Sequence, residues 1–194
     1  MDSIILASSS PRRKELLETM QIQFKVIPAN CDESVPEEIR AMDAPLHIAE
    51  KKAKAIIRQL NSDETANFVL AADTAIVFDG KVYGKPRGID EAKSFISLFQ
   101  GKTQSVVTGV ALYNRKKALL KSEAVVTNVK FKKMTSHDID FCLSKNEWKD
   151  AAGGYKIQGV SACFIEKIEG SYSNVVCLPI EKVYDMLSEQ HFEF

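Results

Sequence analysis

The chain has 194 residues with 26 basic and 26 acidic side chains, so its formal charge at neutral pH is zero. Binders of long polyanions usually carry a basic excess or stripe, and solvating tails an acidic one; neither is present. Apolar residues make up 45% and charged residues 27%, the mix of an ordinary soluble globular protein, and the length suits one domain over 1-194 with a sizeable core, two small lobes being the alternative.

Short strands and helical patterns alternate from the start. Ser3 to Ala7 is short, apolar and β-compatible. Ser10 is a good N-cap, Pro11 fits the first helical position, and Leu16, Leu17 and Met20 share one face of the helix that follows. Phe24 to Ile27 reads as a second strand. Ala44 to Leu60 is the clearest helix: Leu46, Ala49, Ala53, Ile56, Ile57 and Leu60 form one apolar stripe.

Phe68 to Ala72 reads as a strand covered on both faces and ending at Asp73. Ala75 to Phe78, Asp79-Gly80 and Lys81 to Tyr83 read as a hairpin. Asp90 is expected to cap a helix carrying Ala92, Phe95, Ile96 and Phe99, with Gly101 as its stop. Gln104 to Tyr113 and Leu119 to Phe131 are long β-rich runs. Ser136 to Leu143 reads as a short helix, Ala162 to Ile168 as a strand, and Pro179 opens a last helix with Ile180, Val183, Tyr184 and Leu187 on one side. The order is not a clean βαβ repeat. It predicts an α/β fold with a mixed, partly antiparallel central sheet and flanking helices.

No apolar run approaches the roughly 18 residues of a membrane helix, so no membrane partner is expected. The N-terminus lacks a basic region, so no secretory signal is expected. Cys31, Cys142, Cys163 and Cys177 are far apart and have no CxxC spacing. They are expected to be reduced core residues of a cytoplasmic protein rather than a disulfide framework or zinc site. The three histidines form no HExxH or Ser-His-Asp pattern.

Ser8-Ser9-Ser10-Pro11-Arg12-Arg13 lies between a strand and the first turn of a helix. Two arginines there oppose the positive end of the helix dipole. Beside three hydroxyls and free backbone N–H groups they make an anion site suited to phosphate. A solvated helix start whose arginines pair with surface carboxylates is the alternative. The GxxxxGK[ST] pattern is absent, so this is no Walker loop.

Asp73-Thr74 follows the buried run at 68–72. A carboxylate at such a strand end can bind a divalent cation, orient water or act as a general base. A turn aspartate serving local N–H groups is the alternative. Lys85 lies on a proline-stiffened loop, where a lysine is usually solvated. Lys52 stands at the edge of the apolar stripe, and either snorkelling or reaching into a cleft fits. Asp32, Glu33, Glu37 and Glu38 form an acidic patch in which Glu33 is a metal candidate, a solvated surface being the alternative. The loop at 153–159 is punctuated by glycines, which either bring backbone close to a ligand or simply connect; Gln158 offers amide donors and an acceptor there.

Together these segments resemble the Maf family of nucleotide pyrophosphatases. The matching residues are those at 5–13, Asp32-Glu33, Glu50-Lys51-Lys52-Ala53, Ala72-Asp73-Thr74, Lys85-Pro86-Arg87, Ala152 to Gly159, Ile168 to Tyr172 and Cys177-Leu178-Pro179. The resemblance covers essentially the whole chain in order. It implies two lobes around a central cleft, similar to the inosine-triphosphate pyrophosphatases. It further implies hydrolysis of a nucleoside triphosphate to monophosphate and pyrophosphate with a divalent metal, magnesium or manganese.

By that resemblance Asp73 is the proton acceptor, Ser8, Arg12, Arg13, Lys52 and Lys85 form the phosphate-side cluster, and Glu33 is an acidic position of the same cleft. Glu33 and Asp73 are the metal candidates. Ser-Pro-Arg-Arg, Ala-Asp-Thr and Tyr-x-Ile-Gln-Gly look like the branch specific for dTTP and UTP. A 7-methyl-GTP branch tends instead to carry tryptophan after the proline and Asp-Gln for Asp-Thr. Arg12, Thr74 and Gln158 therefore look like specificity positions; modified pyrimidine triphosphates fit the same pattern. Nothing is carried over to Gly88 or Asp90. The expected partner is a small nucleoside triphosphate rather than bulk nucleic acid, and a homodimer is expected only by base rate. The alternative is a nucleotide-binding regulator of cell division or septum formation with incidental hydrolysis.

Overall fold

The computed structural model describes residues 2–61 and 63–194. In chain order its elements are β1 (Ile4–Leu6), α1 (Pro11–Thr19), β2 (Phe24–Val26), α2 (Ala44–Ile57), β3 (Phe68–Phe78), β4 (Lys81–Tyr83), α3 (Ile89–Phe99), β5 (Thr103–Asn114), β6 (Leu119–Phe131), α4 (Ser136–Ser144), β7 (Ile165–Glu169), α5 (Tyr172–Val176) and α6 (Ile180–Glu189). Among the described residues seven strands form one sheet in the order β2-β1-β3-β5-β6-β7, with β4 added to β3. β1 pairs in parallel with β2 and β3, whereas β4 and β7 pair antiparallel with β3 and β6. The sheet is therefore mixed, as the element order predicts, and helices accompany it.

The chain divides into two compact units. The first comprises Met1–Asp73, Thr108–Val125 and Cys177–Phe194; the second comprises Thr74–Val107 and Val126–Val176. Strands β3, β5 and β6 each contribute residues to both.

The first unit is built on β1, whose three side chains are all fully buried. Alternation sends Ile4 and Leu6 to one face, where Leu17 of α1, Phe68 and Leu70 of β3 and Met186 and Leu187 of α6 enclose them. Ile5 goes to the other face, against Ala49, Ala53 and Ile56 of α2. The small residues on the α2 stripe bring that helix close to the sheet. Helix α1 starts as expected: Pro11 occupies its first turn and the Ser10 hydroxyl accepts from the Arg13 N–H.

The second unit has its own core of Ile76, Ile96, Phe99, Val129, Phe131 and Tyr155. The β3–β4 hairpin turns on Asp79-Gly80, both at positive φ (48° and 68°), as a tight two-residue connection requires. Gly101, at φ 70°, ends α3.

Several sequence expectations need correction. β3 does not stop at Ala72 but continues through Asp73-Thr74 to Phe78, so Asp73 stands mid-strand. The apolar run breaks at that pair; the ladder does not. Asp90 does not cap α3. Gly88 holds the cap position in an extended conformation, and Asp90 and Glu91 sit in the first turn, where acidic groups suit the dipole. The strand expected from Ala162 begins only at Ile165, and 160–164 forms a 3-10 turn. The cysteines are free, but only Cys142 and Cys177 are buried; Cys31 is half-buried and Cys163 exposed. No helix among the described residues is long and apolar enough to cross a membrane.

Candidate active site

Three segments of the first unit converge on a small group of charges. Helix α2 supplies Lys52, β3 supplies Asp73, and the segment after β2 supplies Glu33. The Lys52 side chain comes from the edge of a helix face packed on the sheet, and its residue is only 9% exposed. A buried ammonium must be paired. Its Nζ lies 2.7 Å from Asp73 Oδ1 and 3.0 Å from Glu33 Oε1. One cation is thus shared by two carboxylates of different burial: Asp73 is mostly buried, while the Glu33 side chain is 54% exposed.

Burial dominates the titration of Asp73 and raises its carboxyl above the ordinary value. The charges of Lys52 and Arg13 and the Lys52 hydrogen bond pull the other way, and Glu33 adds to the rise. A carboxylate raised by burial and hydrogen-bonded to an ammonium can serve as a general base.

Arg13 is fixed beside this group. It is buried in α1. Its Nε donates to the Cys177 carbonyl at 3.0 Å and its Nη1 to Ser8 Oγ at 3.2 Å. The Ser8 hydroxyl also accepts the Ser10 N–H at 3.2 Å. The serine run therefore orients an arginine fork. Arg12, the next residue back, is half-buried. Cys177 plays a part that spacing alone does not reveal. Its φ of 142° is unusual for a residue with a side chain, and it turns the carbonyl that holds Arg13. The positional signal is its place before Leu178-Pro179.

The acidic patch at 32–38 is divided. Asp32 serves its own turn. The Ser34 hydroxyl and N–H, then Lys51, hold its carboxyl down to about 2. Glu33, the metal candidate of this patch, reaches Lys52. No cluster of three or more His, Cys, Asp or Glu side chains suited to a metal occurs among the described residues. Glu33 and Asp73 are nonetheless hard oxygen donors already sharing one cation. Two carboxylates completed by substrate phosphates form the usual donor set for magnesium.

The remaining expected residues belong to the second unit. Thr74 follows Asp73 on β3 and is half-buried. Lys85 is exposed, with its Nζ 3.3 Å from Asp150 Oδ1. Gln158 is exposed between buried Ile157 and half-buried Gly159. The glycines of its loop serve packing. Gly153, at φ 70°, has no room for a side chain: a Cβ there would stand 2.5 Å from Ile76 Cγ1. Its N–H donates to the Gly84 carbonyl at 2.9 Å. Tyr155 is buried, and its hydroxyl accepts from Gln104 at 3.2 Å.

The family model described as Maf-like protein matches residues 3–190. The chain belongs to the Maf-like family. Among curated relatives, dTTP/UTP pyrophosphatase of Thermosipho africanus is 42% identical to this Maf-like chain over 95% of it and 91% of the relative. The enzymes of that name from Treponema denticola and Bacillus cereus are 37% and 39% identical, covering 99% and 97% of this chain and 98% and 96% of theirs. Among solved structures, the Staphylococcus aureus Ham1 protein aligns with a TM-score of 0.56 at 12% identity, covering 97% of this chain and all of that one. That likeness shows a shared fold.

Proposed function

We propose that this chain hydrolyses nucleoside triphosphates, chiefly dTTP and UTP and modified pyrimidine triphosphates, to the monophosphate and pyrophosphate, with 1-194 acting as one Maf domain. The observation that carries the reading is the Lys52 ammonium held at 2.7 Å by the raised carboxyl of Asp73 and at 3.0 Å by Glu33, beside the anchored Arg13. The names of relatives at 37–42% identity support the same substrate class.

A triphosphate carries about four negative charges near neutral pH, and its cleavage is mostly electrostatic work. Arg13, preset by Ser8 and Cys177, binds phosphate oxygens with little further ordering. Arg12 adds a second fork from the same helix start. Lys52 exchanges its carboxylate partners for phosphate oxygens as substrate arrives. Lys85, exposed and loosely paired, is assigned to the leaving pyrophosphate. Asp73 takes the proton from the water that attacks the α-phosphorus. Glu33 and Asp73 would hold a magnesium or manganese ion, which neutralises phosphate charge when bound. Thr74 and Gln158 are assigned to the base. The Gln158 amide presents both a donor and an acceptor to the imide edge of uracil or thymine.

The test is a panel of triphosphates with magnesium or manganese, assayed for pyrophosphate. Fast release from UTP and dTTP is expected. Tight binding without turnover supports a regulator instead, and release of orthophosphate supports a phosphomonoesterase. Asp73→Asn is expected to fold and to lose roughly 10²–10⁴-fold in rate; wild-type turnover by that variant would refute the base assignment.

A further inference from the structure

Gly159 has an extended backbone, with φ −117° and ψ −158°, which residues with side chains also adopt. Its dihedrals give no reason for glycine. Space does. A Cβ at this position would stand 2.0 Å from Glu147 Oε2 and 2.5 Å from Oε1. The Glu147 carboxylate therefore lies directly against the loop. It is also bonded to it, because the Val160 N–H donates to Oε2 at 2.7 Å. That N–H opens the 3-10 turn at 160–164, where backbone donors lack helical partners.

The residue before this contact is Gln158. It is exposed, whereas Ile157 and Ser161 on either side of the 158–160 stretch are buried. The Ser161 side chain is itself tied to Cys142. The loop is thus pinned by side chains that enter the core at 157 and 161. Glu147 grips the backbone between them. The proposed chemistry gives the Glu147 carboxylate no role of its own.

We infer that Glu147 is a positioning residue for Gln158: its carboxylate, seated against Gly159 and holding the Val160 N–H, fixes the loop so that the Gln158 amide meets a pyrimidine base in one orientation. This rests on the assignment of Gln158 to the base. The chemistry is that of preorganisation. An amide that reads a base edge must be held close to its productive geometry by groups behind it. A charged acceptor on one backbone N–H is stronger than a neutral one.

The experiment compares Glu147→Ala, Glu147→Gln, Gly159→Ala and the double variant Glu147→Ala/Gly159→Ala with the parent. KM and kcat are measured for UTP, dTTP and ATP, and melting temperature for each protein. Glu147→Ala is expected to raise KM for UTP and dTTP roughly tenfold while kcat changes little and ATP is hardly affected. Glu147→Gln keeps an acceptor for Val160 and should restore most of the selectivity. Gly159→Ala should resemble Glu147→Ala, because its methyl displaces the carboxylate. Added to Glu147→Ala it should cost little more, since the obstructing group is gone.

Unchanged pyrimidine KM in Glu147→Ala, or an equal loss for all three nucleotides, overturns the inference. So do additive effects of Gly159→Ala and Glu147→Ala on melting temperature, a readout that also serves if either single variant folds poorly. Absence of pyrophosphate release by the parent overturns the proposed function and this role with it. Parent turnover with an indifferent Glu147→Ala overturns the positioning role alone.

Discussion

Gly109 on β5 faces the start of α2 so closely that a Cβ would stand 2.3 Å from Leu46 Cα and 2.4 Å from the Pro45 carbonyl. These are backbone atoms, so no side-chain rotation relieves the clash. The contact sets how near α2 lies to the sheet, and α2 carries Lys52. Gly109→Ala should therefore push the helix outward. The expected loss is about 3 kcal/mol of stability, with a fall in turnover as Lys52 leaves Asp73. Denaturant unfolding and pyrophosphate release read the two effects; full stability with full activity would refute the account.

Asp73 predicts the pH dependence of activity. Its carboxyl titrates above 3.8 in the folded chain, because burial disfavours the anion. A base must be ionised, so the acid limb of kcat/KM is expected above 3.8. Removing Glu33, which raises the carboxyl, should move that limb to lower pH in Glu33→Gln. Removing the opposing Lys52 should move it to higher pH in Lys52→Ala, with a lower plateau. The stability term has the opposite direction from most carboxylates: the folded chain holds this proton more tightly, so Asp73's contribution falls as pH rises from 3.8 through its folded value. Asp73→Asn should accordingly be as stable as the parent at neutral pH, as thermal melts would reveal.

Much around this site is legible in the sequence. Ser10 and Pro11 announce α1, the apolar stripe announces α2, and Asp79-Gly80 announces the β3–β4 turn. Each signal is local. The site itself is harder to read, because Lys52 meets Asp73 across 21 positions and Arg13 meets Cys177 across 164. At the edge of its stripe Lys52 fits solvent and interior equally well, until its partners are known. The continuity of β3 escapes the sequence for a related reason: Asp73 interrupts the apolar run, and the Lys52 and Arg13 charges that favour a carboxylate there come from distant parts of the chain. The glycines at 153 and 159 carry no label telling a ligand from a neighbouring side chain.

Asp2 yields a separate stability prediction. It is buried, which alone would raise its carboxyl. The Glu193 N–H, Lys116 and Asn67 outweigh that and leave it below 3.8. Its Oδ2 accepts the Glu193 N–H at 3.1 Å and Lys116 Nζ lies 3.1 Å from Oδ1. A depressed carboxyl stabilises above its unfolded value, and the contribution is lost as pH falls below 3.8 through the folded value. Asp2→Ala should cost roughly 1–3 kcal/mol at pH 7, with the difference from the parent shrinking in acid melts.

Cys177 tests backbone strain. A side chain at φ 142° costs about 1–3 kcal/mol. Glycine removes that cost but adds chain entropy in the unfolded state, of about 0.5–1 kcal/mol. Cys177→Gly is expected to melt no lower than the parent and to keep activity, since Arg13 is held by the backbone carbonyl rather than the thiol. Cys177→Val, branched at Cβ, should melt lower. The reverse ranking would show that the thiol contact with Ser10, at 3.8 Å, matters more than the backbone.

The interleaving of the two units has a consequence for synthesis. The first unit draws its core from Ile4 and Leu6 at one end of the chain and from Val183, Met186, Leu187 and Phe192 at the other. Domains commonly fold in turn as they leave the ribosome, N-terminal first. The first unit cannot complete its core in that order: Ile4 and Leu6 must wait for the residues at 183–192. Asp73 and Lys52 therefore acquire their finished surroundings only once α6 has been made, so a chain cut short before α6 carries the motif without its hydrophobic support.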